Sequence, residues 1–453
     1  MFQYPFFLFP FKINYCLNKH YQNTLKTVKY MLFLSLIVLL SCSNKKHTNG
    51  FNLSYWSSNN NSEILFSKKM VAQWNQLYPN KKIHYQPVPA GQSSEEIVLA
   101  AVVAKTTWDI YSNMWQGSVE FYAKSHVLIP LDTLAGFNKF IQSRCDSATL
   151  QEITSADGHI YQVPWKINPI MTLYNQSIKS DLNIDNAPLT YGKFLAAAKE
   201  IKKDNNGDGY IDQWIGITSA KPIWYERLFN FYPLYIAASN GLPLIKNNRA
   251  AFNNKYAVEV FRFLQNIYKN NYFTKDQQGS TQDKFISQKV FAKFTGPWEI
   301  KYLQRFKPKS LKFNFTNIPV PDNHKGPIYT YCDPKSIVIF NTCRNPQLAF
   351  EFIKTMVDIH GDSLLLALTN QLPRRYGIDT AATFREFFND NPELKVFAHQ
   401  AKYVKGIDNC EVINEVLESI SQQYESCVLY NLKSPEQAIK DAEKSVNVLL
   451  RAK

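Results

Sequence analysis

The sequence predicts an α/β protein of two lobes, on the basis of its length, its apolar content and the alternation of its elements. The chain has 453 residues, of which 45% are hydrophobic and 14% aromatic, so it can bury two sizeable cores. Runs typical of strands alternate with runs typical of helices, an order that favours sheets covered by helices. The sequence contains no internal repeat and no low-complexity linker.

Residues 1–42 are predicted to be an export signal that does not belong to the fold. The apolar run 31–40 is far shorter than the ~20 residues that span a bilayer. Lys26 and Lys29 give it the positive flank of a signal peptide. The run ends at Cys42, a candidate lipidation site, and an ordinary secretory signal with an incidental cysteine is the alternative. An aromatic stretch precedes the two lysines, which suggests that the true start codon lies further downstream.

The composition is basic but contains no long block of positive charge. The 51 Lys and Arg residues outnumber the 37 Asp and Glu residues, which gives a formal net charge of +14. Because the lysines are scattered, we expect a solvated surface and no nucleic acid partner. Capture of a polyamine would require a strongly acidic cleft, which this composition does not indicate.

Five cysteines follow residue 42, and none of them has the CxxC spacing of a metal site. Export would permit disulfides. Cys332 with Cys343 and Cys410 with Cys427 are possible pairs, and the odd count leaves at least one cysteine unpaired.

The elements at the start of the body follow the order β-α-β. "FNLSYWSS" is a predicted strand, and a helix follows "NNNS", with Phe66, Met70, Trp74 and Leu77 at helical spacing until Pro79. "KKIHYQPV" is the next predicted strand. A second helix from "SSEEIVLAAVVA" then leads into the strand "TWDIYSNM".

Two positions marked by proline are candidate crossings between the lobes. A strand after the turn in "SADGHIYQVPW" is broken at Pro164, and the strand in "QKVFAKFTGPWEI" meets Gly296. Long helices are predicted between these two positions. Towards the C-terminus, Asn345 caps a helix that begins with proline, and Ser434 with Gln437 forms a capping box.

In this order, the segments resemble the family 1 extracellular solute-binding proteins, the capture subunits of ABC importers, often for sugars and oligosaccharides. The resemblance extends over nearly all of 53–450. It is carried by the lipobox at Cys42 and by "YWSS", "TWDIYSNM" with "VLIPLD", "DGHIYQVPW" with "MTLYNQ", "FTGPWEI", "SIVIFNTCRNPQLAFEFI" and "SPEQAIKDAEKSVNVLL". The low glycine content and the five cysteines depart from the family pattern, and they suggest a substrate unlike that of its commonest members.

The resemblance implies a two-lobed periplasmic-binding-protein fold, type II-like, in which each lobe is a mixed sheet flanked by helices. The ligand cleft then lies at the hinge. We divide the chain into an N-terminal extension and lipoprotein signal peptide (1–42), a tether (43–50), lobe 1 (51–163 plus 298–345) and lobe 2 (164–297 plus 346–453).

A cleft for a sugar requires flat apolar surfaces for the ring faces and a few directional polar groups for the hydroxyls. The resemblance places five tryptophans at the cleft, namely Trp56, Trp115, Trp165, Trp224 and Trp298, each of which is equally compatible with a packed loop position. Trp74 lies on a helical stripe and is predicted to be in the core, while Trp108 and Trp214 fit either role.

The candidate polar partners of the ligand are Gln92, Asn113, Glu226, Asp333 and Arg374. Such groups provide selectivity, because a buried donor or acceptor without a partner costs ~1–3 kcal/mol. Asp333 is equally compatible with a turn before a proline, and Arg374 with a salt bridge at the surface.

The segment "DNNGDGYID" resembles part of an EF-hand calcium loop. Its candidate ligands are Asp204, Asn206, Asp208, Tyr210 (through its carbonyl) and Asp212. The twelfth position is Ile215 where an EF-hand has a bidentate glutamate, so a plain surface turn is the alternative. A melting temperature that does not change with millimolar calcium would contradict a calcium site.

We expect a binding protein and not an enzyme. A glycosidase needs two carboxylates, which Glu226, Glu299 and Asp333 could supply, but the sequence has no nucleophile elbow, HExxH motif, P-loop or Cys/His signature. The expected ligand is a small-molecule carbohydrate, the expected partners are ABC permease subunits in the membrane, and the expected state is a monomer in the cell envelope without a cofactor. An orphan surface-anchored protein that binds a polymer or a partner is the alternative.

Overall fold

The computed structural model describes residues 50–89, 94–181, 187–274 and 283–452. The predictions for Cys42, Gln92 and the segments 1–42 and 43–49 lie outside these residues. The strands are β1 (Leu53–Ser57), β2 (Ile83–Pro87), β3 (Ile110–Trp115), β4 (Val163–Ile167), β5 (Met171–Asn175), β6 (Trp214–Ile217), β7 (Ile245–Lys246), β8 (Arg249–Ala250), β9 (Phe273–Thr274), β10 (Val290–Thr295), β11 (Phe313–Thr316), β12 (Thr330–Tyr331), β13 (Lys335–Ile339), β14 (Leu372–Pro373) and β15 (Val404–Lys405).

The helices surround two sheets. They are α1 (Asn61–Leu77), α2 (Ser94–Val103), α3 (Gln116–Lys124), α4 (Phe137–Arg144), α5 (Ser147–Ile153), α6 (Gln176–Asp181), α7 (Tyr191–Ile201), α8 (Arg227–Asn230), α9 (Tyr232–Ala238), α10 (Lys255–Lys269), α11 (Trp298–Phe306), α12 (Pro346–Met356), α13 (Ile359–Thr369), α14 (Ala382–Asp390), α15 (Pro392–Gln400), α16 (Ile413–Tyr424) and α17 (Pro435–Arg451). Among the described residues, none of these helices has the length and apolar character needed to cross a bilayer.

Both main sheets are mixed, which confirms the predicted fold class. The first has the order β14-β4-β13-β3-β1-β2, with β1 parallel to β2 and β3, and β13 antiparallel to β3 and β4. The second has the order β11-β5-β10-β6-β9, with β6 parallel to β9 and β10, and β5 antiparallel to β10 and β11.

Each sheet contributes to two apolar cores. Helices α1, α4, α12 and α13 pack into one core of the first sheet, and α2 and α3 into the other. Helices α7, α9, α10, α16 and α17 pack into one core of the second sheet, and α11, α14 and α15 into the other. Two lobes of this size agree with the apolar content of the chain.

The helix signals in the sequence are largely confirmed. Phe66, Met70 and Trp74 are buried in α1, whereas Leu77 in its last turn is exposed. Asn345 caps α12 by accepting from the N–H of Leu348. Ser434 caps α17 by accepting from the Gln437 N–H, but the Gln437 side chain donates to Asp441 and does not accept from the Ser434 N–H, so only half of the predicted capping box forms.

The chain passes between the sheets at places that differ in part from the expected boundaries. The first passage, between β4 and β5, lies close to Pro164 as expected. The second lies between β11 and β13 and not at Gly296, because β11 pairs with β5 in the second sheet. Segment 298–316 therefore belongs with the second sheet. Helices α12 and α13 pack against α1 and so belong with the first.

All five cysteines in the described residues are free thiols, and neither of the two possible pairs forms a disulfide. Cys145, Cys332, Cys343 and Cys427 are buried, and Cys410 is half-buried. Burial raises the pKa of Cys145 to about 11 and that of Cys427 to about 12, so both thiols behave as apolar core groups.

Asp408 predicts a dependence of stability on pH. Burial raises its pKa from 3.8 to about 6, although its carboxylate accepts from the N–H groups of Leu244 and Ile245. The folded state therefore binds a proton more tightly than the unfolded state, so this group stabilises the fold at low pH and loses that contribution between about pH 4 and 6. Asp408→Asn can keep both hydrogen bonds without the charge. We expect it to be more stable than the wild type at about pH 7, by about 1–2 kcal/mol, and equally stable near pH 4.

Urea unfolding of both proteins at the two pH values measures this difference. Asp390→Asn, at an exposed aspartate, is the matched control. A stability difference between Asp408→Asn and wild type that stays constant with pH would contradict the assignment.

Candidate ligand-binding cleft

The carboxyl ends of the parallel strands bring aromatic side chains from both lobes together. Trp115 ends β3 in the first sheet, and Trp224 begins the short 3-10 turn Trp224–Glu226 in the second lobe. Their ring centroids are 5.0 Å apart. In open α/β sheets, ligands bind outside the carboxyl ends of the strands, so this junction is the expected position of a cleft.

Four further rings extend this contact. Tyr331 accepts a hydrogen bond from Trp115 Nε1 at 2.9 Å. Phe229 lies edge-on to Tyr331 and to Trp298, with both centroid distances at 6.3 Å. Tyr225 lies edge-on to Trp224 at 5.6 Å and is 37% exposed. We call Trp115, Trp224, Tyr225, Phe229, Trp298 and Tyr331 the aromatic cluster.

Two glycines permit the close approach of the backbone to these rings. A Cβ atom at Gly296 would lie 2.2 Å from the ring of Trp298, and one at Gly117 would lie 2.3 Å from the ring of Trp115. Each ring therefore lies directly against the backbone of its own turn. This contact restricts the orientation of two of the tryptophans that the sequence proposed for the cleft.

A charged group adjoins the aromatic cluster on the side of the first lobe. Asp333 Oδ1 accepts from the Tyr331 hydroxyl at 3.3 Å and pairs with Lys335 Nζ at 3.3 Å. Lys335 Nζ lies 3.9 Å from Glu95 at the start of α2. Burial alone would lower the pKa of Lys335, but the carboxylates of Asp333 and Glu95 raise it above its ordinary value. The backbone of Asp333 is left-handed, with φ of 34°, a strain that is commonest at functional sites.

A buried ion pair lies at the same edge of the first sheet. Glu63 of α1 pairs with Lys166 of β4, and the side chains of Ser58 and Gln371 donate to the same carboxylate. Burial would raise the pKa of Glu63, but the positive charge of Lys166 holds it below its ordinary value. Sequence reasoning missed this pair, although a lysine inside the apolar strand "VPWKI" is the signal that could have found it.

Two of the predicted tryptophans lie away from the aromatic cluster. Trp165 is fully buried in a core of the first sheet, 5.7 Å from Phe66. Trp56 is 7% exposed and stacks on Trp108 at 5.6 Å in the other core of that sheet. Both pack in cores of the first sheet, whose strands β1 and β4 are covered on both faces, and their contact with a ligand stays a prediction.

The predicted polar residues are divided between the cleft and other places. Asp333 adjoins the aromatic cluster, and Asn113 is half-buried in β3, two residues before Trp115. Glu226 is buried at the N-cap of α8, two residues after Trp224. Arg374 forms a bidentate ion pair with Glu152, with N–O distances of 2.6 and 3.1 Å. Arg374 is buried, so this pair is not the surface salt bridge of the alternative. Arg374 lines two cavities, neither of which includes the aromatic cluster.

The acidic loop is ordered by its own hydrogen bonds. Asp204 accepts from the N–H groups of Gly207 and Gly209, each at 2.8 Å, and these bonds hold the pKa of Asp204 below its ordinary value. Asp208 accepts from the Tyr210 N–H, and Asp212 from the Asn205 N–H. Within the described residues, no group of three or more acidic, His or Cys side chains is arranged to hold a metal ion. Calcium binding by this loop stays a prediction.

Comparison with known proteins gives a consistent result. The family model described as bacterial extracellular solute-binding protein matches residues 69–396. A maltooligosaccharide ABC transporter solute-binding lipoprotein of Streptococcus pneumoniae is 22% identical over 275 residues, which are 55% of this chain and 60% of that protein. The arabinooligosaccharide-binding protein of Bacillus subtilis is 25% identical over 187 residues, 38% of this chain and 40% of that one. The chain thus spans about 60% of the length of the first curated relatives it matches.

Solved structures share the fold. An uncharacterized protein from Listeria monocytogenes superposes with a TM-score of 0.75 at 24% identity, over 88% of this chain and 99% of that one. The sugar-binding protein of Xanthomonas citri gives a TM-score of 0.72 at 16% identity, over 88% and 97%. Because the family match covers most of the two-sheet body and these structures reproduce its fold over almost their whole length, the chain belongs to the bacterial extracellular solute-binding proteins.

Proposed function

We propose that the protein captures a carbohydrate between its two lobes and delivers it to an ABC permease in the membrane. The observation that carries this proposal is the aromatic cluster, whose rings come from both lobes and lie beside charged hydrogen-bonding groups. Such rings cover the C–H faces of a sugar, and the charged groups bind its hydroxyls. The relatives named above as oligosaccharide-binding proteins support this ligand class.

Capture by closure follows from the position of the rings. Trp115 belongs to the first lobe, whereas Trp224 and Trp298 belong to the second. Trp115 is only 2% exposed and packs on Trp224, so the rings of the two lobes meet at this point. A ligand that contacts rings of both lobes makes its full set of contacts only when the lobes are closed, so binding shifts the hinge equilibrium towards that state. The closed monomer is then the form that the permease recognises.

Two of the three acids considered for catalysis pair with lysines, which favours binding over hydrolysis. Glu299 pairs with Lys293 at 2.6 Å and accepts from Thr295. Asp333 pairs with Lys335, and Glu226 is only 8% exposed. A glycosidase needs one carboxyl group as acid and a second as base or nucleophile, both facing the scissile bond. Release of product from an oligosaccharide by the pure protein would contradict a binding role.

Thermal shift measurements test the capture of a carbohydrate. Protein lacking residues 1–42 is titrated with mono- and oligosaccharides, polyols and polyamines. A ligand at about 100 times its Kd stabilises the folded state by about 2.7 kcal/mol, so a rise in melting temperature that depends on concentration is the expected result. No shift with any saccharide would favour the orphan surface role.

We propose that Cys42 carries the lipid that anchors the protein in the cell envelope. The lipoprotein named among the relatives supports this anchor. One acyl chain alone anchors only marginally, so the several chains of a bacterial lipoprotein are required. Cys42→Ser is expected to move the protein from the membrane fraction to the soluble fraction, as measured by fractionation and immunoblotting. Cys410→Ser is the control, and retention of Cys42→Ser in the membrane fraction would contradict the anchor.

A further inference from the structure

The cleft contains an unbalanced set of charges within the part of the chain that the structure describes. Glu63 and Lys166 neutralise each other in their buried pair. Beside them, the two carboxylates of Asp333 and Glu95 share one ammonium group, that of Lys335. One negative charge therefore remains in this group, in a chain whose formal net charge is +14. The net charge of this group is therefore negative, whereas the composition of the whole chain is basic.

Among the described residues, the two contacts of Lys335 and the Tyr331 hydroxyl do not saturate these carboxylates. Lys335 Nζ lies 3.3 Å from Asp333 and 3.9 Å from Glu95, whereas a charge-assisted hydrogen bond from an ammonium group to a carboxylate is about 2.7–2.9 Å long. A carboxylate can accept up to about four hydrogen bonds. Asp333 and Glu95 therefore retain acceptor capacity for a second cation.

Carboxylates of both lobes lie near Tyr225 in the second lobe. Burial and the carboxylates of Glu226, Glu96 and Glu95 raise the pKa of Tyr225, which belongs to the aromatic cluster. Glu95 and Glu96 lie in the first turn of α2 in the first lobe, so their field acts on a ring of the opposite lobe. The face of an aromatic ring itself attracts a cation.

We propose that the ligand carries a protonated amine, as an amino sugar does, which binds the carboxylates of Asp333 and Glu95 beside the rings of the aromatic cluster. This inference rests on the proposed function, because it specifies the charge of the carbohydrate in that same cleft. The amine donates up to three hydrogen bonds and adds the missing positive charge, while the sugar ring packs on the tryptophans. A linear polyamine fits less well, because it has no ring face to pack on the partly exposed side chains of Trp224 and Trp298.

Titration calorimetry with matched saccharides tests this inference. The panel contains glucose, glucosamine and N-acetylglucosamine, which differ only in the group at one ring position. Their β-1,4-linked trisaccharides differ in the same way at each ring. We expect the protonated amine form to bind about tenfold or more tightly than the hydroxyl and N-acetyl forms. Glu95→Gln and Asp333→Asn are expected to abolish this preference, because each weakens binding of the amine forms more than binding of the neutral forms. Asparagine tolerates the left-handed backbone of position 333, so its fold is preserved.

Glu386→Gln, which removes an exposed carboxylate on α14, is the matched control for net charge and is expected to keep the preference. Equal or tighter binding of the neutral forms would overturn the amine inference and leave the capture of carbohydrate intact. Binding of spermidine in place of every saccharide would contradict both proposals. An amine preference that survives both cleft variants would show that other groups hold the cation, and would overturn the assignment to Asp333 and Glu95.

Discussion

Replacing Trp298 with alanine is expected to weaken carbohydrate binding by about 30-fold or more, with a smaller effect on folding. Truncation of a tryptophan at the centre of a binding site commonly costs at least about 2 kcal/mol, which corresponds to this factor in Kd. Trp298 lies three residues after the end of β10, is half-buried, and contacts Phe229 edge-on at 6.3 Å. The exposed part of its side chain is thus available to a sugar, while its other contacts hold it in place.

Titration calorimetry with the best saccharide from the thermal shift panel measures this loss. Trp108→Ala is the matched control, because Trp108 is also half-buried but stacks on Trp56 and His84 in the first lobe, away from the aromatic cluster. Gly296→Ala provides a second variant, because its new Cβ would displace the Trp298 ring without deleting it. Unchanged affinity in Trp298→Ala and Gly296→Ala together would remove this ring from the site.

Among the tryptophans predicted for the cleft, those at or after the ends of strands lie in the aromatic cluster, whereas those inside strands do not. Trp115 is the last residue of β3 and Trp298 lies three residues after β10, and a polar or glycine-containing segment next to a strand can be read from a single sequence. Trp165 lies inside β4, where all five residues are buried. Because both faces of this strand are covered, its sequence pattern does not show which face would meet a ligand. The prediction for Trp165 therefore has no geometric support in this arrangement.

The partners that complete the cleft are distant in sequence, which explains why they were missed. Trp115 donates to a tyrosine 216 positions away, and Lys166 pairs with a glutamate 103 positions away. No periodicity or local motif encodes such contacts, because they depend on how the two sheets and their passages are arranged. The same cause explains the placement of β11, whose pairing with β5 the local sequence does not specify.

The first lobe has a second feature with a large expected effect, the buried carboxylate of Asp362. This side chain is 1% exposed in the first turn of α13. Arg144 donates to both of its oxygens, at 2.9 and 3.1 Å, and Arg375 donates to one of them at 2.8 Å. Arg144 is itself only 4% exposed, so the carboxylate neutralises a cation that water does not reach.

Asp362→Ala is expected to destabilise the protein by about 3–5 kcal/mol, because it leaves the Arg144 guanidinium buried without a counter-charge. Urea unfolding gives the loss of stability, and Glu351→Ala, which removes one partner of an exposed ion pair on α12, is expected to cost less than about 1 kcal/mol. Arg144→Met combined with Asp362→Ala is expected to cost less than the sum of the two single changes, because the double variant has neither buried charge.

A loss of stability below about 1 kcal/mol in Asp362→Ala would contradict this prediction and would mean that water solvates the Arg144 guanidinium. Since Asp362 does not contact the aromatic cluster, the folded fraction of this variant is expected to bind saccharide with unchanged affinity, which separates its structural role from the ligand-binding role of Trp298.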